Sequence, residues 1–388
     1  MHILIIPSWY PKYPGDLSGC FFREQALALK KNDCKIGVIF PQLRSVKDWR
    51  KVLQGEYGLT VEDDYGLPTY RSHGISWFPR IARIGAWLWI KHGKYLYNEY
   101  VKEHGRPDVI HAHSAIYGGC LAFELSTQHG IPYIITEHST AYARNRISGD
   151  LKTLCSAAIA QANYRIAVSK EFSQLLEGFY NLAHANWNYI ANIVNSKFSE
   201  RPLESQGKGK FTFINVASLT KKKSLDILIR AFNVASKENN DIALKIGGDG
   251  PEKVKLEQLA ISLGINDKVT FLGKLTRDQV VEEMAKSDAF ALSSKFETFG
   301  VVVIEALALG KPVIATRCGG PESIVRKQDG ILVSTDDVVG LAAAMNEIYN
   351  NRELYDHHEI RQSCVARFGE KAIAQQLKSV YATVISKS

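Results

Sequence analysis

The chain of 388 residues lacks several patterns that would fix its class at once. None of its six cysteines forms a Cys-x-x-Cys pair or has a histidine at zinc-finger spacing. That excludes the common disulfide and zinc frameworks. Cys20, Cys34, Cys120, Cys155, Cys318 and Cys364 are therefore expected to be scattered, buried thiols in a reducing compartment. No low-complexity tract is present. No apolar run is long enough to span a bilayer: the longest, Ile75 to Ile90, is broken by Arg80 and Arg83, and a spanning helix needs roughly 20 apolar residues. The opening Met-His-Ile-Leu-Ile-Ile-Pro is too short for a signal peptide and reads as a first buried strand. Gly-x-Gly-x-x-Gly does not follow that strand, and Gly247-Gly-Asp-Gly250 has the wrong spacing, which argues against a dinucleotide-dependent dehydrogenase. No Asp-x-Asp pair sits at an expected strand end. Asp63-Asp64 and Asp336-Asp337 are adjacent pairs assigned to loops, poor geometry for a shared divalent ion. No metal cofactor is expected.

What is present is an ordinary globular composition, 45% hydrophobic and 23% charged, with length enough for two domains. The net charge of +8 suits anionic partners such as nucleotides, phospholipid headgroups or nucleic acid, and selects none of them. Strand-like apolar runs alternate with helical patterns. In the first half the strands are expected at His2–Pro7, Lys35–Phe40, Asp108–His111, Tyr133–Glu137, Tyr164–Ser169 and Trp187–Asn192. In the second they are expected at Phe211–Ala217, Asp241–Gly247, Lys268–Leu272, Ala289–Ser293 and Pro312–Thr316. Continuous apolar strands separated by helices imply α/β architecture with doubly wound parallel sheets. The alternation pauses at Ser199 to Lys210, a polar stretch holding Pro and Gly. The expected organisation is a domain over 1–200, a linker over 201–210, a second domain over 211–369, and a C-terminal helix over 370–388 packing on either domain. Ligands of such sheets bind outside the carboxyl ends of the strands, so both domains should aim strand ends at a cleft.

The aromatic residues are lopsided. All six Trp and 14 of the 17 Tyr precede the polar stretch. They suit either an aromatic core or a surface that contacts a lipid, membrane or sugar ring.

The densest chemical signal is Lys295-Phe-Glu-Thr-Phe-Gly-Val-Val-Val-Ile-Glu-Ala-Leu-Ala-Leu-Gly-Lys-Pro-Val-Ile-Ala. A strand end, a glycine turn at Gly300 and a helix start form an anion site, where free N–H groups and the positive end of the helix dipole meet the ligand. Glu305 lies about a turn and a half into that helix. A carboxylate embedded between Val301–Ile304 and Ala306–Leu309 should have a partner.

Glu297 and Glu305, with seven residues between them, resemble the paired-glutamate motif of the retaining family 4 glycosyltransferases, whose GT-B fold has two facing Rossmann-like domains. Other landmarks follow in order. Gly247-Gly-Asp-Gly-Pro-Glu252, Val269-Thr-Phe-Leu-Gly273, Cys318-Gly-Gly-Pro-Glu322 and Asp329-Gly-Ile-Leu-Val333 resemble its glycine turns. In the first half, Pro14-Gly-Asp-Leu-Ser-Gly19 resembles its N-terminal glycine loop. Asp108-Val-Ile-His-Ala-His113 and Thr136-Glu-His138 resemble its histidine-bearing strand ends. The resemblance covers nearly the whole chain. It implies that Glu297 binds the donor sugar and Glu305 the donor ribose, with amides around Phe299, Gly300 and Val301 on the diphosphate. Lys223 falls at the family's lysine. Ser218 stands where the family has arginine and Ser224 where it has glycine; Lys221, Lys222 or Arg277 are candidates for the missing cation. Gly19 and Gly248 are further donor-side positions. His138 is expected near the reacting sugar, with His113 and Arg144 on the acceptor side. His111 and His113 alternate in one strand and are assigned opposite faces, so that at most one reaches the ligand.

The resemblance thus implies a retaining, metal-independent transfer from a nucleotide-diphosphate sugar (UDP or GDP) to a glycan acceptor. A polyprenyl-diphosphate-linked acceptor of bacterial surface-polysaccharide assembly is expected. Leaving-group charge would be met by helix amides and Lys223. Lys30 to Lys51 carries seven basic residues, and Trp77, Phe78, Arg80, Arg83, Trp87, Trp89, Lys91 and Lys94 mix aromatic with basic groups. Such a stretch either rests on an anionic bilayer or packs into its domain. The expected location is cytoplasmic, at the inner face of the membrane, with no nucleic-acid partner. A nucleotide-sugar epimerase of similar build is the alternative enzyme, and a non-catalytic nucleotide- or lipid-binding protein the alternative class.

Overall fold

The structure is a computed structural model, described here for residues 1–12, 16, 19–46, 50, 57–77, 81–144, 146–182, 186–203 and 209–388. The chain divides into two compact units. Unit 1 is Met1–Ala191 with Ile373–Ser388, and unit 2 is Asn192–Ala372. The division falls ahead of the polar stretch expected to link the domains, because the helix Ser196–Ser199 is bound within unit 2. Val194 N–H donates to Phe368 O at 2.9 Å, and Phe198 is buried.

Unit 1 is built on an eight-stranded sheet. Its strands are β1 (His2–Pro7), β2 (Lys35–Ser45), β3 (Gly58–Asp64), β4 (Leu67–Ser76), β5 (Val109–His113), β6 (Tyr133–Glu137), β7 (Tyr164–Ala167) and β8 (Asn188–Tyr189). The spatial order is β3-β4-β2-β1-β5-β6-β7-β8. Every residue of β1, β5 and β6 is buried, as expected for strands covered on both faces. The covering helices follow the 3.6 period. In α1 (Cys20–Lys31), Phe22, Ala26 and Leu29 face inward, while Lys30 and Lys31 complement the dipole at its end. The long α2 (Ala82–His104) buries Trp89, Leu96 and Tyr100.

Two sequence expectations need correction here. The sheet is not wholly parallel, since β3 runs antiparallel to β4 as an edge hairpin. Asp63 and Asp64 therefore close a strand rather than sit in a loop. Asp64 is buried and takes hydrogen bonds from Tyr10 Oη (2.9 Å) and Arg23 (3.3 Å). Likewise the strand expected over Trp187–Asn192 shrinks to Asn188–Tyr189.

Unit 2 holds six parallel strands: β9 (Phe211–Val216), β10 (Ile242–Gly247), β11 (Val269–Gly273), β12 (Ala289–Leu292), β13 (Val313–Thr316) and β14 (Gly330–Val333). They are ordered β11-β10-β9-β12-β13-β14. The order runs outward from β9 in one direction and from β12 in the other, so it reverses between these two strands. That reversal is where doubly wound sheets bind ligands. Phe213, Ile246 and Ile314 from the sheet pack with Leu228 and Phe232 of α3 (Leu225–Glu238) and Met345 of α4 (Val338–Asn350). Among the described residues, no helix is long and apolar enough to cross a membrane.

Candidate active site

The loops that follow β9 and β12 lie together at the strand-order reversal of unit 2. Lys222 O accepts from Lys295 N–H at 2.9 Å, and Lys223 O accepts from Ser293 Oγ at 2.9 Å. This stitching brings the Lys223 ammonium onto the Glu297 carboxylate. Ser294 Oγ donates to the same carboxylate oxygen at 2.7 Å. The two charged side chains are only 14% and 12% exposed, so their attraction is weakly screened. Residues Lys221–Lys223 form one tight turn that ends at Ser224 with φ of 46°. Ser224, which stands where the resembling family has glycine, thus adopts a left-handed conformation, at a cost of about 1–2 kcal/mol for an L-residue.

The far side of the Glu297 loop is held by the turn Cys318–Glu322. Glu297 N–H donates to Cys318 O, and Glu297 O accepts from Gly320 N–H, both at 2.9 Å. Glu322 takes the Gly319 N–H at 3.0 Å. A Cβ on Gly320 would overlap the carbonyl of Phe299, which is why the turn requires glycine. The Phe299 ring is core, edge-on to Phe368, leaving only its backbone for a ligand. Helix α5 (Val301–Ala308) then starts from Gly300, whose φ is 101° and which offers no side-chain cap. Its first N–H groups therefore point out of the helix beside Lys223 and Glu297, an electropositive helix end.

Glu305, on the same helix, is 1% exposed. Its Oε1 receives Arg277 Nη1 at 2.5 Å, and that guanidinium lies 4.7 Å from the Phe198 ring centre. Its Oε2 is buried without a hydrogen-bond partner. A buried orphan acceptor costs about 1–3 kcal/mol, which a ligand hydroxyl would recover. Arg277 is therefore committed to Glu305, and this is the partner that the apolar surroundings of Glu305 demand.

The other expected donor-side residues each have local contacts of their own. Gly248 N–H is already donated to Gly273 O at 2.7 Å, and a Cβ there would overlap Ala217 O. The glycine lets two strand-end loops touch. Ser218 is exposed, with its carbonyl taken by Thr220 N–H at 2.8 Å. Gly19 lies in unit 1, capping α1 with φ of 75° against Trp9. The rest of its glycine loop, apart from Asp16, lies outside the described residues.

In unit 1, β5 and β6 deliver a buried histidine cluster. His113 Nδ1 and His138 Nε2 share a hydrogen bond of 3.1 Å, packed against the rings of Phe21 and Phe22. His111 and His113 do not diverge. Their ring centres are 4.2 Å apart, because residues two apart in a strand share a face. His111 is bonded on both sides, to Tyr381 Oη and Thr136 Oγ1, each at 2.7 Å, and burial pushes its pKa down to about 3. His113 is also held well below the usual histidine range, first by burial and then by its histidine neighbours.

Sequence reasoning passed over Glu137. It is fully buried between the two strand ends and takes Ser114 Oγ (2.5 Å), Ala115 N–H (2.8 Å), and His138 and Ser139 N–H (both 2.9 Å). Burial raises its pKa, and those hydrogen bonds oppose the rise. Glu137 organises the loop that presents His138. Its place between Thr136 and His138 at a strand end was the available signal. Arg144 is exposed. The thiols are less scattered than expected, since Cys120 and Cys155 lie buried with their sulfurs 3.9 Å apart.

Two α/β units, one on a mostly parallel and one on a wholly parallel sheet, with two carboxylates and a helix N-terminus at a strand-order reversal, place the chain in the GT-B class of glycosyltransferases. Comparison with known proteins agrees. Residues 22–198 match the family model described as Glycosyltransferase Family 4, and residues 197–362 match that described as Glycosyl transferases group 1. The chain belongs to the family 4 glycosyltransferases.

Among curated relatives, it is 33% identical over 205 residues to N-acetyl-alpha-D-glucosaminyl L-malate synthase of Bacillus anthracis. That match covers 51% of this chain and 53% of the relative. It is 33% identical to the lipopolysaccharide core biosynthesis glycosyltransferase LpsD of Rhizobium meliloti, covering 46% and 51% respectively. The aligned segment thus spans about half the length of these relatives. Among solved structures, sucrose-phosphate synthase from Thermosynechococcus elongatus aligns over 100% of both chains, with a TM-score of 0.77 and 18% identity. Anabaena HepE in complex with UDP aligns over 99% of this chain and 100% of its own, with a TM-score of 0.74 and 19% identity. At these identities the likeness is one of fold.

Proposed function

We propose that the protein is a retaining, metal-independent glycosyltransferase. It moves a hexose-type sugar from a UDP or GDP sugar to a glycan acceptor, lipid-linked, in bacterial polysaccharide or glycolipid synthesis. The observation that carries this reading is the Lys223–Glu297 pair beside the uncapped start of α5. A diphosphate there would meet helix N–H groups and the Lys223 ammonium. Glu297 would accept from the sugar hydroxyls, and Glu305 Oε2 from the ribose. Lys223, Glu297 and His138 are the catalytic candidates. The nucleotide-sugar donor is further supported by HepE, whose structures hold UDP or UDP-glucose, and the polysaccharide setting by LpsD.

In the reaction, an acceptor hydroxyl oxygen bonds to the donor C1 while the C1–O bond to the diphosphate breaks. The bonding pair leaves with the nucleoside diphosphate. Attack comes from the face the nucleotide leaves, so the hydroxyl proton passes to the departing phosphate oxygen, and the configuration is retained.

Membrane attachment is part of the same reading. The exposed Trp77, Ile81 and Trp87 flank Arg83 and Lys91, whose ammonium lies 5.4 Å from the Trp87 ring centre. Aromatic and basic groups together suit an anionic interface. Trp89 does not join them, being buried; Phe78 and Arg80 lie outside the described residues. Flotation with anionic liposomes tests this part, and indifference to anionic lipid would remove it.

The main test is a thermal-shift screen of UDP and GDP sugars with and without EDTA, paired with donor hydrolysis. Stabilisation that survives EDTA, with hydrolysis lost in Glu297→Ala and Lys223→Ala, is expected. Isomerised nucleotide sugar formed without an acceptor would instead mark an epimerase.

A further inference from the structure

We infer that Cys120 and Cys155 are a reversible disulfide site, and that closing the bridge displaces the loop that presents His138. The bond itself is independent of the transferase reading; its kinetic consequence rests on that reading. Cys120 is the first residue of the helix Cys120–His129, and Cys155 lies in the helix Gly149–Gln161. Their sulfurs are 3.9 Å apart. A disulfide measures about 2.05 Å, so each sulfur has roughly 1 Å to travel.

Buried thiols are ordinarily inert packing. Two observations set this pair apart. First, the two thiols are unequal. The hydrogen bond from Cys155 lowers the pKa of Cys120, burial opposes this, and backbone hydrogen bonds at Tyr117 and Cys120 add to the lowering. The same hydrogen bond, and then burial, raise the pKa of Cys155. Burial pushes Cys34, Cys318 and Cys364 up instead. An acidic thiol beside a protonated one is the arrangement of a nucleophilic cysteine and its resolving partner. Second, both thiols adjoin the bonds that hold Glu137. Cys120 Sγ donates to Ala115 O at 3.5 Å, and Ala115 N–H donates to Glu137. The Tyr180 hydroxyl lies beside Cys155 and shares a hydrogen bond of 2.8 Å with Tyr142, which donates to Glu137 at 3.2 Å. Glu137 in turn holds the N–H groups of His138 and Ser139. Tyr117 marks the way in for a small oxidant. Burial, and then the charges of Cys155 and Cys120, push its hydroxyl up, so it adjoins both sulfurs, and it also lines a cavity of about 280 Å³.

The oxidant is hydrogen peroxide. The Cys120 thiolate attacks one peroxide oxygen and the O–O bond breaks. That oxygen stays on sulfur as a sulfenic acid, and the other takes a proton and leaves as water. The Cys155 sulfur then attacks the Cys120 sulfur and gives up its proton, and the sulfenic oxygen departs as a second water. Two thiols and one peroxide give one disulfide and two waters, with two electrons passing from sulfur to oxygen. Closure takes the Cys120 S–H away from Ala115 O and draws two helices together beside Glu137.

The test treats the full chain with hydrogen peroxide, alkylates the remaining thiols under denaturing conditions and maps the peptides by mass spectrometry. A Cys120–Cys155 bridge that dithiothreitol reverses is expected, with Cys34 and Cys364 still alkylated. Amide exchange at His138 and Ser139 should quicken at least about tenfold on oxidation, because their acceptor Glu137 is disturbed. Donor turnover should fall at least about tenfold, since a displacement near 1 Å costs up to about a hundredfold. KM for the nucleotide sugar should stay within about twofold, because Lys223, Glu297 and Glu305 lie in unit 2. Cys120→Ser and Cys155→Ser should keep reduced turnover within about twofold of the parent and resist peroxide. The inference falls if both thiols survive peroxide or bridge elsewhere, if the bridge forms without faster exchange at His138 and Ser139, or if peroxide inactivates both serine variants as it does the parent. Absence of turnover in the reduced parent would sink the transferase reading instead, and the bridge and the exchange at His138 would still be readable.

Discussion

Removing one member of the Lys223–Glu297 pair at a time separates the diphosphate from the sugar. In Lys223→Met the proposed charge-assisted contact to the diphosphate is lost, worth roughly 1.5–3 kcal/mol. At about 1.4 kcal/mol per factor of ten, that is a loss of affinity of about 12- to 150-fold. The loss should be the same for a nucleoside diphosphate and for its sugar, because the ammonium serves the part they share. Glu297→Gln keeps the shape and the hydrogen bond from Ser294 Oγ, 2.7 Å in the parent protein, but removes the negative charge proposed to meet the sugar hydroxyls. It should leave UDP or GDP binding within about threefold and weaken the nucleotide sugar about tenfold, since a neutral acceptor is roughly half as strong as an ionised one. Isothermal titration of both ligands against both variants reads all four numbers. If Glu297→Gln weakens nucleoside diphosphate and nucleotide sugar equally, or Lys223→Met affects neither, the assignment of roles is wrong.

Three further outcomes follow from the structure. Arg277→Ala strands the Glu305 carboxylate in a site 1% exposed and should cost about 3–5 kcal/mol of stability; restoration by Glu305→Gln in the same chain, measured by urea unfolding, checks that the lost charge pairing is the cause. His111 is deprotonated in the fold down to about pH 3 but takes a proton near pH 6.5 when unfolded. Below pH 6.5 the unfolded state binds the extra proton, so stability falls by up to about 1.4 kcal/mol per pH unit until pH 3. His113 adds to the same slope, which His111→Asn should reduce in pH-dependent melting curves. Gly320→Ala places a methyl group on the Phe299 carbonyl; it should cost about 1–3 kcal/mol and lower donor affinity by shifting the Glu297 loop, read by unfolding and titration together.

The parallel architecture was legible because β1, β9 and β12 are short apolar runs punctuated by amphipathic helices, and two-sided burial leaves little else for such runs to do. The β3–β4 hairpin was not. Its edge strand Gly-Leu-Thr-Val-Glu-Asp-Asp is mostly exposed, so neither alternation nor apolarity marks it. Its buried polar residues, Asp64 and Arg71, bond to Tyr10, Arg23, Glu62 and the Pro11 carbonyl, which are distant in sequence or on the paired strand. The pairing of Glu305 could be anticipated from its apolar flanks, but not the choice of Arg277, which depends on the packing of one helix N-terminus against another element. The divergence assigned to His111 and His113 failed against the strand period itself. The close approach that Gly248 permits, to Ala217 of its own sheet end, could not be read from the sequence, because it depends on how two strand-end loops meet.

The most direct test of the account is amide hydrogen exchange across residues 297–303 in the presence of millimolar UDP-glucose, GDP-mannose and EDTA, each sugar nucleotide taken in turn. The account predicts that one of them slows exchange at Val301 and Val302, the start of α5, and that Lys223→Met abolishes the protection. Binding without protection there, or no protection by either donor, would contradict it.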